Sequence, residues 1–118
     1  MKSYNRIVIL GRLKQKFPPK ILSDNNIIMP VIVNTDYTYK NKAGKTQRFE
    51  EDNYVVFWNQ LAKNFDDFVK IGDIVFLEGR LQSRFWYEGE TLRHETNSLA
   101  ERFFSIPNDN KESKIYGD

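Results

Sequence analysis

Apolar and polar residues alternate with a period of two along most of the chain, which predicts strands. The clearest case is residues 71–87, where the inward positions are Val75, Leu77 and Leu81. The opposite face of the same strand carries Arg80, Gln82, Arg84 and Trp86. A face with cations and an aromatic ring favours a ligand that is both anionic and flat. Single-stranded nucleic acid has both properties, because cations neutralise its phosphates and each base offers a π-face.

The same patterning predicts an all-β fold with one helix. The strands cover residues 5–13, 27–39, 47–58, 73–87 and 91–106. Between strands 3 and 4, an apolar stripe at helical spacing follows the candidate N-cap Asn59 and ends before Gly72. Three strands, a helix and two strands are the order of an OB-fold, a five-stranded Greek-key barrel with its helix between strands 3 and 4.

Length and composition fit one domain. The chain has 118 residues, 40% of them hydrophobic, which is enough for a single core. We expect residues 1–106 to form the domain and residues 107–118, which lack periodicity, to form a short flexible tail. The absence of cysteine excludes disulfides and thiolate metal sites. The N-terminal apolar run, residues 7–10, is too short for a signal peptide or a membrane span, so we expect a soluble, cytoplasmic protein.

Charge is unevenly distributed along the chain. Residues 1–48 hold ten lysines and arginines against two acidic residues, whereas residues 49–118 hold eight against fourteen. The formal net charge is only +2. Such segregation allows a basic surface on a nearly neutral molecule, as expected of a protein that binds phosphates. The alternative is that like charges cluster in solvated loops, and for Lys40, Lys42 and Lys45 both interpretations stay open.

Three segments carry a family resemblance. They are NRIVILGRL at residues 5–13, WNQLAK at 58–63 and KIGDIVFLEGRLQSR at 70–84. Together they resemble bacterial and phage single-stranded DNA-binding proteins, over roughly residues 4 to 106. The resemblance implies an OB-fold that coats and protects single-stranded DNA, largely without regard to sequence, during replication, recombination and repair. It also implies a homo-oligomer, usually a homotetramer and sometimes a smaller assembly.

In that family DNA bases stack on a few aromatic side chains. The matching positions here hold Tyr39, Trp58 and Trp86, so the resemblance implies that these rings bind bases. A further family aromatic falls at Asp52, which cannot stack and would repel phosphate. Tyr54 shares the face of Asp52 and Trp58 and is the candidate replacement. The alternative for each ring is partly buried packing within the barrel.

The position of Tyr39 raises a specific question. Tyr37 and Tyr39 share the parity of Val31 and Val33, so a regular strand would direct all four inward. Either a bulge intervenes, or the tyrosines lie beyond the rim of the barrel on a projecting loop.

Cations in or beside the strands are the candidate phosphate contacts, with a solvated surface charge as the alternative for each. They are Arg6, Arg12, Lys14, Lys40, Arg48, Arg80, Arg84 and Arg93. Family members pair first through their N-terminal strands, and here residues 7–10 are apolar on both faces. We therefore expect an oligomer interface that includes Ile7, Ile9 and Phe76, the last being outward by parity beside Glu78.

Catalysis has little support in the sequence. The single histidine, His94, lies in a polar strand without a partner motif, and the glycines form no phosphate-binding loop. Glu50, Glu51 and Asp52 alternate faces of a strand and do not converge on a cation. We therefore expect no enzyme activity, no cofactor and no metal.

Two other classes of protein remain open. One is an OB-fold adaptor of a primosome or replication complex, acting mainly through replication or recombination proteins. The C-terminal residues favour this alternative, because they lack the acidic tip ending in Pro-Phe that typical family members use to recruit partners. A truncated chain, a phage, plasmid or mobile-element origin, and another recruitment mode are the explanations. The other class is an oligosaccharide-binding OB module, against which the cationic N-terminal half argues.

Overall fold

The computed structural model describes residues 1–107, and within them it has six strands and one helix. The elements are β1 (Ile7–Lys16), β2 (Lys20–Ile21), β3 (Ile27–Lys40), β4 (Thr46–Trp58), α1 (Asn59–Phe68), β5 (Ile74–Glu88) and β6 (Thr91–Ile106). Five long strands close into a barrel in the order β1-β5-β6-β4-β3, because β3 also pairs with β1. All pairings along this closed path are antiparallel except the short parallel one between β4 and β6.

The structure confirms the prediction of an all-β fold with one helix and a five-stranded barrel, but it adds a short strand that the sequence did not predict. Lys20 and Ile21 form the two-residue strand β2 against Ile28 and Ile27, so α1 follows the fourth strand and not the third. A two-residue strand leaves no detectable alternation in the sequence. The predicted tail, apart from Pro107, lies outside the described residues.

The start of the helix also differs from the prediction. Trp58 is the N-cap, with no side-chain cap hydrogen bond, and Asn59 is the first helical residue, with a φ of 52°. Asparagine tolerates this left-handed conformation better than most residues. The Asn59 side chain accepts a hydrogen bond from the backbone N–H of Ile27 and donates one to Asn26. It therefore ties the helix start to the beginning of β3.

Aromatic side chains fill the core beneath the helix. Phe57 of β4 and Phe65 of α1 are fully buried, with ring centroids 4.1 Å apart. Phe103 of β6 packs edge-on against both rings, at 6.0 Å from Phe57 and 5.1 Å from Phe65. This cluster fixes the helix across one end of the barrel. Within residues 1–107, no helix is long and apolar enough to cross a membrane.

Two strand pairs continue well beyond the core. The β3–β4 ladder runs without a register shift to the pair Lys40 and Thr46, and the β5–β6 ladder runs to Glu88 and Thr91. We call residues 34–52 the first arm and residues 80–99 the second arm. Leu81 has the inward parity predicted for it, yet it is 42% exposed because it lies on the second arm. Inward parity therefore means burial only up to the rim of the barrel.

Gly79 marks the base of the second arm. The register between β5 and β6 shifts here, since Glu78 pairs with Arg102 but Gly79 pairs with Ala100, leaving Glu101 as the extra residue. Such a bulge bends the ladder where the arm leaves the barrel. A Cβ on Gly79 would overlap the carbonyl group of Leu99 on the neighbouring strand.

We expect Gly79→Ala to lower the free energy of unfolding by about 3 kcal/mol, because the added methyl group must push two paired backbones apart. Thermal and urea denaturation followed by circular dichroism measure this loss. Gly44→Ala is the matched control. A Cβ at Gly44 meets nothing within 4 Å, and its φ of 77° leaves only local backbone strain, about 1 kcal/mol. Equal losses in the two variants would show that Gly79 is not required for close strand approach.

Candidate nucleic-acid interface

The second arm carries the most complete constellation of predicted binding residues. Arg84 and Trp86 share one face, and the Arg84 guanidinium carbon lies 4.6 Å from the centroid of the Trp86 ring. Across the ladder, Trp86 faces Arg93 and Arg84 faces Glu95. The Arg84 Nε donates a hydrogen bond of 2.6 Å to Glu95. An exposed indole between two arginines is suited to a base flanked by phosphates, as the strand parity predicted.

The first arm carries a stack of three exposed rings. Phe49 lies between Tyr37 and Tyr39, with centroid distances of 5.6 and 5.3 Å. The ladder has no bulge here, so the tyrosines keep inward parity and lie beyond the barrel rim, which is the second of the two explanations above. Sequence reasoning missed Phe49. Its signal was its position opposite Tyr37 once the hairpin is folded about residues 41–45.

Trp58 and Tyr54 lie on the outer face of the β3–β4 ladder. Trp58 faces Ile28 and Tyr54 faces Ile32 across the strands. Trp58 is partly buried, and its buried Nε1 has no hydrogen-bond partner among the described residues. Tyr54 is 48% exposed, with its ring centroid 6.4 Å from that of Phe17. Trp58 can therefore offer part of its ring to a ligand, and Tyr54 can offer a larger part.

Asp52 lies on the same outer face, at the base of the first arm, opposite Asn34. Its carboxylate accepts hydrogen bonds from Lys14 at 2.8 Å and from Asn34 at 3.0 Å. The hydrogen bond from Lys14, followed by that from Asn34, lowers the pKa of Asp52 below its ordinary 3.8. The same contact raises the pKa of Lys14. Asp52 thus remains an anion at neutral and mildly acidic pH, beside the face that Tyr54 and Trp58 present.

Most of the predicted phosphate-binding cations already have carboxylate partners. The pairs are Arg6 with Glu78, Lys14 with Asp52, Arg48 with Asp36 and Glu50, Arg84 with Glu95, and Arg93 with Glu88. Arg12 donates instead to the carbonyl of Gly72. Within residues 1–107, the exposed side chains of Lys40 and Arg80 form no ion pair or hydrogen bond. The uneven charge along the sequence is therefore largely balanced in space.

The outer face of β1, β5 and β6 carries an exposed apolar strip. Val8 and Leu10 of β1 are 57% and 60% exposed, and Phe76 packs against the exposed Phe104 at 6.3 Å. Ile7 and Ile9, named above as interface residues, instead face the core. Val8 and Leu10 are the residues of β1 on the outer face, because alternate residues of a strand point to opposite faces. Phe76 does lie on the outer face.

The acidic residues considered above for a cation site, and the histidine considered for catalysis, lie on the surface. Glu50, Glu51 and Asp52 do not converge, and residues 1–107 contain no group of three or more His, Asp or Glu side chains placed to hold a metal ion. The exposed His94 stacks on Phe85 at 5.4 Å. It belongs to the face of the second arm opposite Trp86.

A closed five-stranded barrel with two projecting hairpins is characteristic of OB-fold domains, a class that binds oligonucleotides and oligosaccharides. The sequence profile described as the Single-strand binding protein family matches residues 4–105. The chain therefore belongs to the Single-strand binding protein family.

Named relatives come from several bacteria. The chain is 28% identical to single-stranded DNA-binding protein 1 of Xylella fastidiosa over 98% of its own length and 86% of that protein. It is 26% identical to single-stranded DNA-binding protein 1 of Chlorobaculum tepidum, covering 76% of this chain and 56% of that protein. The single-stranded DNA-binding protein of Neisseria meningitidis is 27% identical, with 75% of this chain and 50% of that protein covered. The chain thus spans about half of the last two relatives.

Solved structures share the fold. The wild-type single-stranded DNA-binding protein from Thermus aquaticus superposes with a TM-score of 0.76 at 19% identity, covering 93% of this chain and 53% of that chain. A deletion mutant of the same protein gives a TM-score of 0.76 at 18% identity, covering 89% of this chain and 51% of that chain. A Plasmodium falciparum SSB in complex with single-stranded DNA gives a TM-score of 0.75 at 18% identity, covering 91% of this chain and 98% of that chain. These similarities establish a common OB-fold.

We expect Asp52→Asn to bind oligo-dT about fivefold more tightly at low salt, because it removes a charge worth about 1 kcal/mol at 4 Å in water and releases Lys14. Since the pKa of Asp52 is lowered, the carboxylate stays ionised at pH 5, and the gain should be equal at pH 7 and pH 5. Fluorescence anisotropy of labelled oligo-dT measures both.

Glu101→Gln, which removes the same charge from β6 outside both arms, is the control and should change affinity less than twofold. An equal gain in the control would mean that net charge, and not the position of Asp52, limits affinity. A gain at pH 7 that disappears at pH 5 would contradict the lowered pKa.

Proposed function

We propose that this protein binds single-stranded DNA without regard to sequence, coating and protecting it in the cytoplasm during replication, recombination and repair. The observation that carries the proposal is the exposed Trp86 flanked by Arg84 and Arg93 on a projecting hairpin of an OB-fold. The names of the relatives and membership of the family support it. The proposal includes no catalytic step.

Each kind of side chain has one task in the proposed complex. Exposed rings stack on bases, which gives affinity for any sequence because every base has a π-face. Trp86, Tyr54 and the rings of the first arm are exposed, and Trp58 contributes the part of its indole that is exposed. Cations on the arms follow the phosphates, and Lys40 and Arg80 are available without breaking an ion pair.

The ion pairs make binding an exchange of partners. A phosphate that contacts Arg84 must replace the Glu95 carboxylate, and one that contacts Lys14 must replace Asp52. These pairs are solvent-exposed, so each costs little to break. The need to replace a carboxylate lowers the affinity for DNA. The same ion pairs hold the arginine side chains in place before DNA binds. Binding should remain salt-dependent, since phosphate neutralisation releases counterions from the strand.

We also propose that the apolar strip on β1, β5 and β6 is where copies of this chain associate, as a dimer or a homotetramer. Val8, Leu10 and Phe104 would be exposed apolar side chains in a monomer. A contiguous exposed apolar patch of this kind marks an interaction surface. It lies on a different part of the barrel from the two arms, so association would leave the proposed DNA-binding surfaces open.

We expect Trp86→Ala to weaken binding to oligo-dT about tenfold, since one base–aromatic stack contributes about 1 to 3 kcal/mol. Tyr87→Ala is the control, because Tyr87 is 71% exposed on the opposite face of the same arm. Anisotropy of labelled oligo-dT gives both affinities, and circular dichroism confirms folding. Equal affinity of Trp86→Ala and the parent protein would remove Trp86 from the site.

We expect Leu10→Lys to convert the oligomer to a monomer, because it buries a cation in the proposed contact between copies. Light scattering coupled to gel filtration measures the mass. Ile21→Lys replaces another exposed apolar residue, 70% exposed on β2, and should leave the mass unchanged. A monomeric parent protein, or an oligomer that survives Leu10→Lys, would refute this interface.

A further inference from the structure

A cavity on the outer face of the β3–β4 ladder has the composition of a base-binding site. Its volume is about 320 Å³, at the small end of the range for sites that hold small organic molecules. The lining residues are Phe17, Pro18, Lys20, Ile28, Pro30 and Tyr54. Two aromatic rings form a wall, aliphatic and proline side chains form the remaining apolar lining, and one lysine supplies a positive charge.

The walls of this cavity are held in place before any ligand binds. The backbone N–H of Phe17 donates a hydrogen bond of 3.0 Å to the carbonyl of Pro30, which fixes the β1–β2 connection over the sheet. Lys20 pairs with Ile28 in the β2–β3 ladder. The Phe17 and Tyr54 centroids are 6.4 Å apart with the rings inclined at 49°. A flat ligand can therefore stack on the exposed Tyr54 with its edge toward Phe17.

Ile28, which lines the cavity, faces Trp58 across the strands, and Asp52 is not part of the lining. Along the outer face, Trp58 faces Ile28, Val56 faces Pro30, and Tyr54 faces Ile32, so the cavity lies between the two rings. The next outer-face position of β4 is Asp52, about 7 Å further along the strand. Its carboxylate would repel phosphate there. A strand leaving Trp58 thus meets an aromatic, cationic cavity before it reaches an anion.

We propose that this cavity is an additional nucleobase-binding site, in which Tyr54 stacks on one base of the bound strand, Phe17 contacts its edge and Lys20 contacts the adjacent phosphate. The site rests on the proposed function, because its occupant is the same single strand that Trp86 binds. Phe17 lies on a connection between strands, where strand parity offers no signal for it.

Photocrosslinking of the unaltered protein tests the proposal directly. Oligo-dT carrying 5-iododeoxyuridine is bound, irradiated and digested, and the crosslinked peptides are mapped by mass spectrometry. We expect crosslinks at Tyr54 or Phe17 in addition to those at Trp86. Crosslinks at Trp86 without any at residues 17 or 54 would overturn the cavity and leave the proposed function standing. Failure of a folded sample to bind the oligonucleotide at all would overturn both.

Two substitutions separate stacking from charge. Phe17→Leu should weaken binding about fivefold, a loss typical of a base contact, without changing the dependence on salt. Lys20→Gln should reduce the slope of log affinity against log salt by about 0.7, the value for one phosphate on a single strand. Ile21→Ala, in the same short strand, is the control and should change neither. An unchanged salt slope in Lys20→Gln would remove the phosphate contact.

A structural role for Phe17 predicts a different result. If Phe17 only fixes the β1–β2 connection, Phe17→Leu should lower the melting temperature, and Phe17→Tyr should restore stability and affinity together. If it contacts a base, Phe17→Leu should lose affinity at an unchanged melting temperature. Loss of affinity only in proportion to loss of stability would overturn the assignment.

Discussion

The continuous register of two antiparallel ladders is the constraint on which the rest of the structure depends. Strands β3 and β4 keep one register from the pair Ile28 and Trp58 to the pair Lys40 and Thr46, through the core and out along the first arm. Because side chains alternate strictly between faces, the parity set by buried Val31 and Val55 decides which arm residues share a surface. Tyr37, Tyr39 and Phe49 stack together for this reason. The β5–β6 ladder places Arg84, Trp86 and Arg93 in the same way, beyond the bulge at Gly79.

Because the two ladders continue past the barrel as arms, the protein has exposed surfaces beyond those of the closed barrel. Residues that would be inward become exposed once the ladder passes the rim, so the arms present both faces to solvent. Aromatic rings on them lie against neighbouring rings, or beneath a guanidinium in the case of Trp86, and not within the core. Carboxylates that pair with the arginines of the arms neutralise part of their positive charge. The proposed binding surface therefore has prearranged cations and a modest net charge.

Much of the fold could be predicted because it depends on local patterning. Alternation, the apolar run at residues 7–10 and the β-branched composition of residues 27–39 predicted the five long strands. The apolar stripe before Gly72 predicted the helix. The face of Trp86 followed from its parity with Arg80 and Arg84. Strand β2 has only two residues, which is too few to show an alternation of apolar and polar side chains. Leu81 shows the limit of parity, since it predicts a face but not where the barrel ends.

The parts of the site that could not be predicted depend on contacts between distant segments. Phe49 joins the tyrosines only through the hairpin register, and Phe17 reaches Tyr54 only through the fold of the β1–β2 connection. Likewise, the pairing of Lys14 with Asp52 joins residues far apart in sequence. Charge counting along the chain therefore predicted a more basic surface than the one that forms. Family resemblance supplied the positions of Tyr39 and Trp58, which parity alone left open.

Intrinsic tryptophan fluorescence during titration with oligo-dT tests the central claim most directly, because both tryptophans, Trp58 and Trp86, lie on the proposed binding surfaces. Duplex DNA of matching length is the comparison. Strong quenching by the single strand, and little by the duplex, is the predicted result, since only unpaired bases can stack on the indoles. No change in fluorescence at low salt, from a folded sample, would contradict single-strand binding and favour a protein adaptor built on the same barrel.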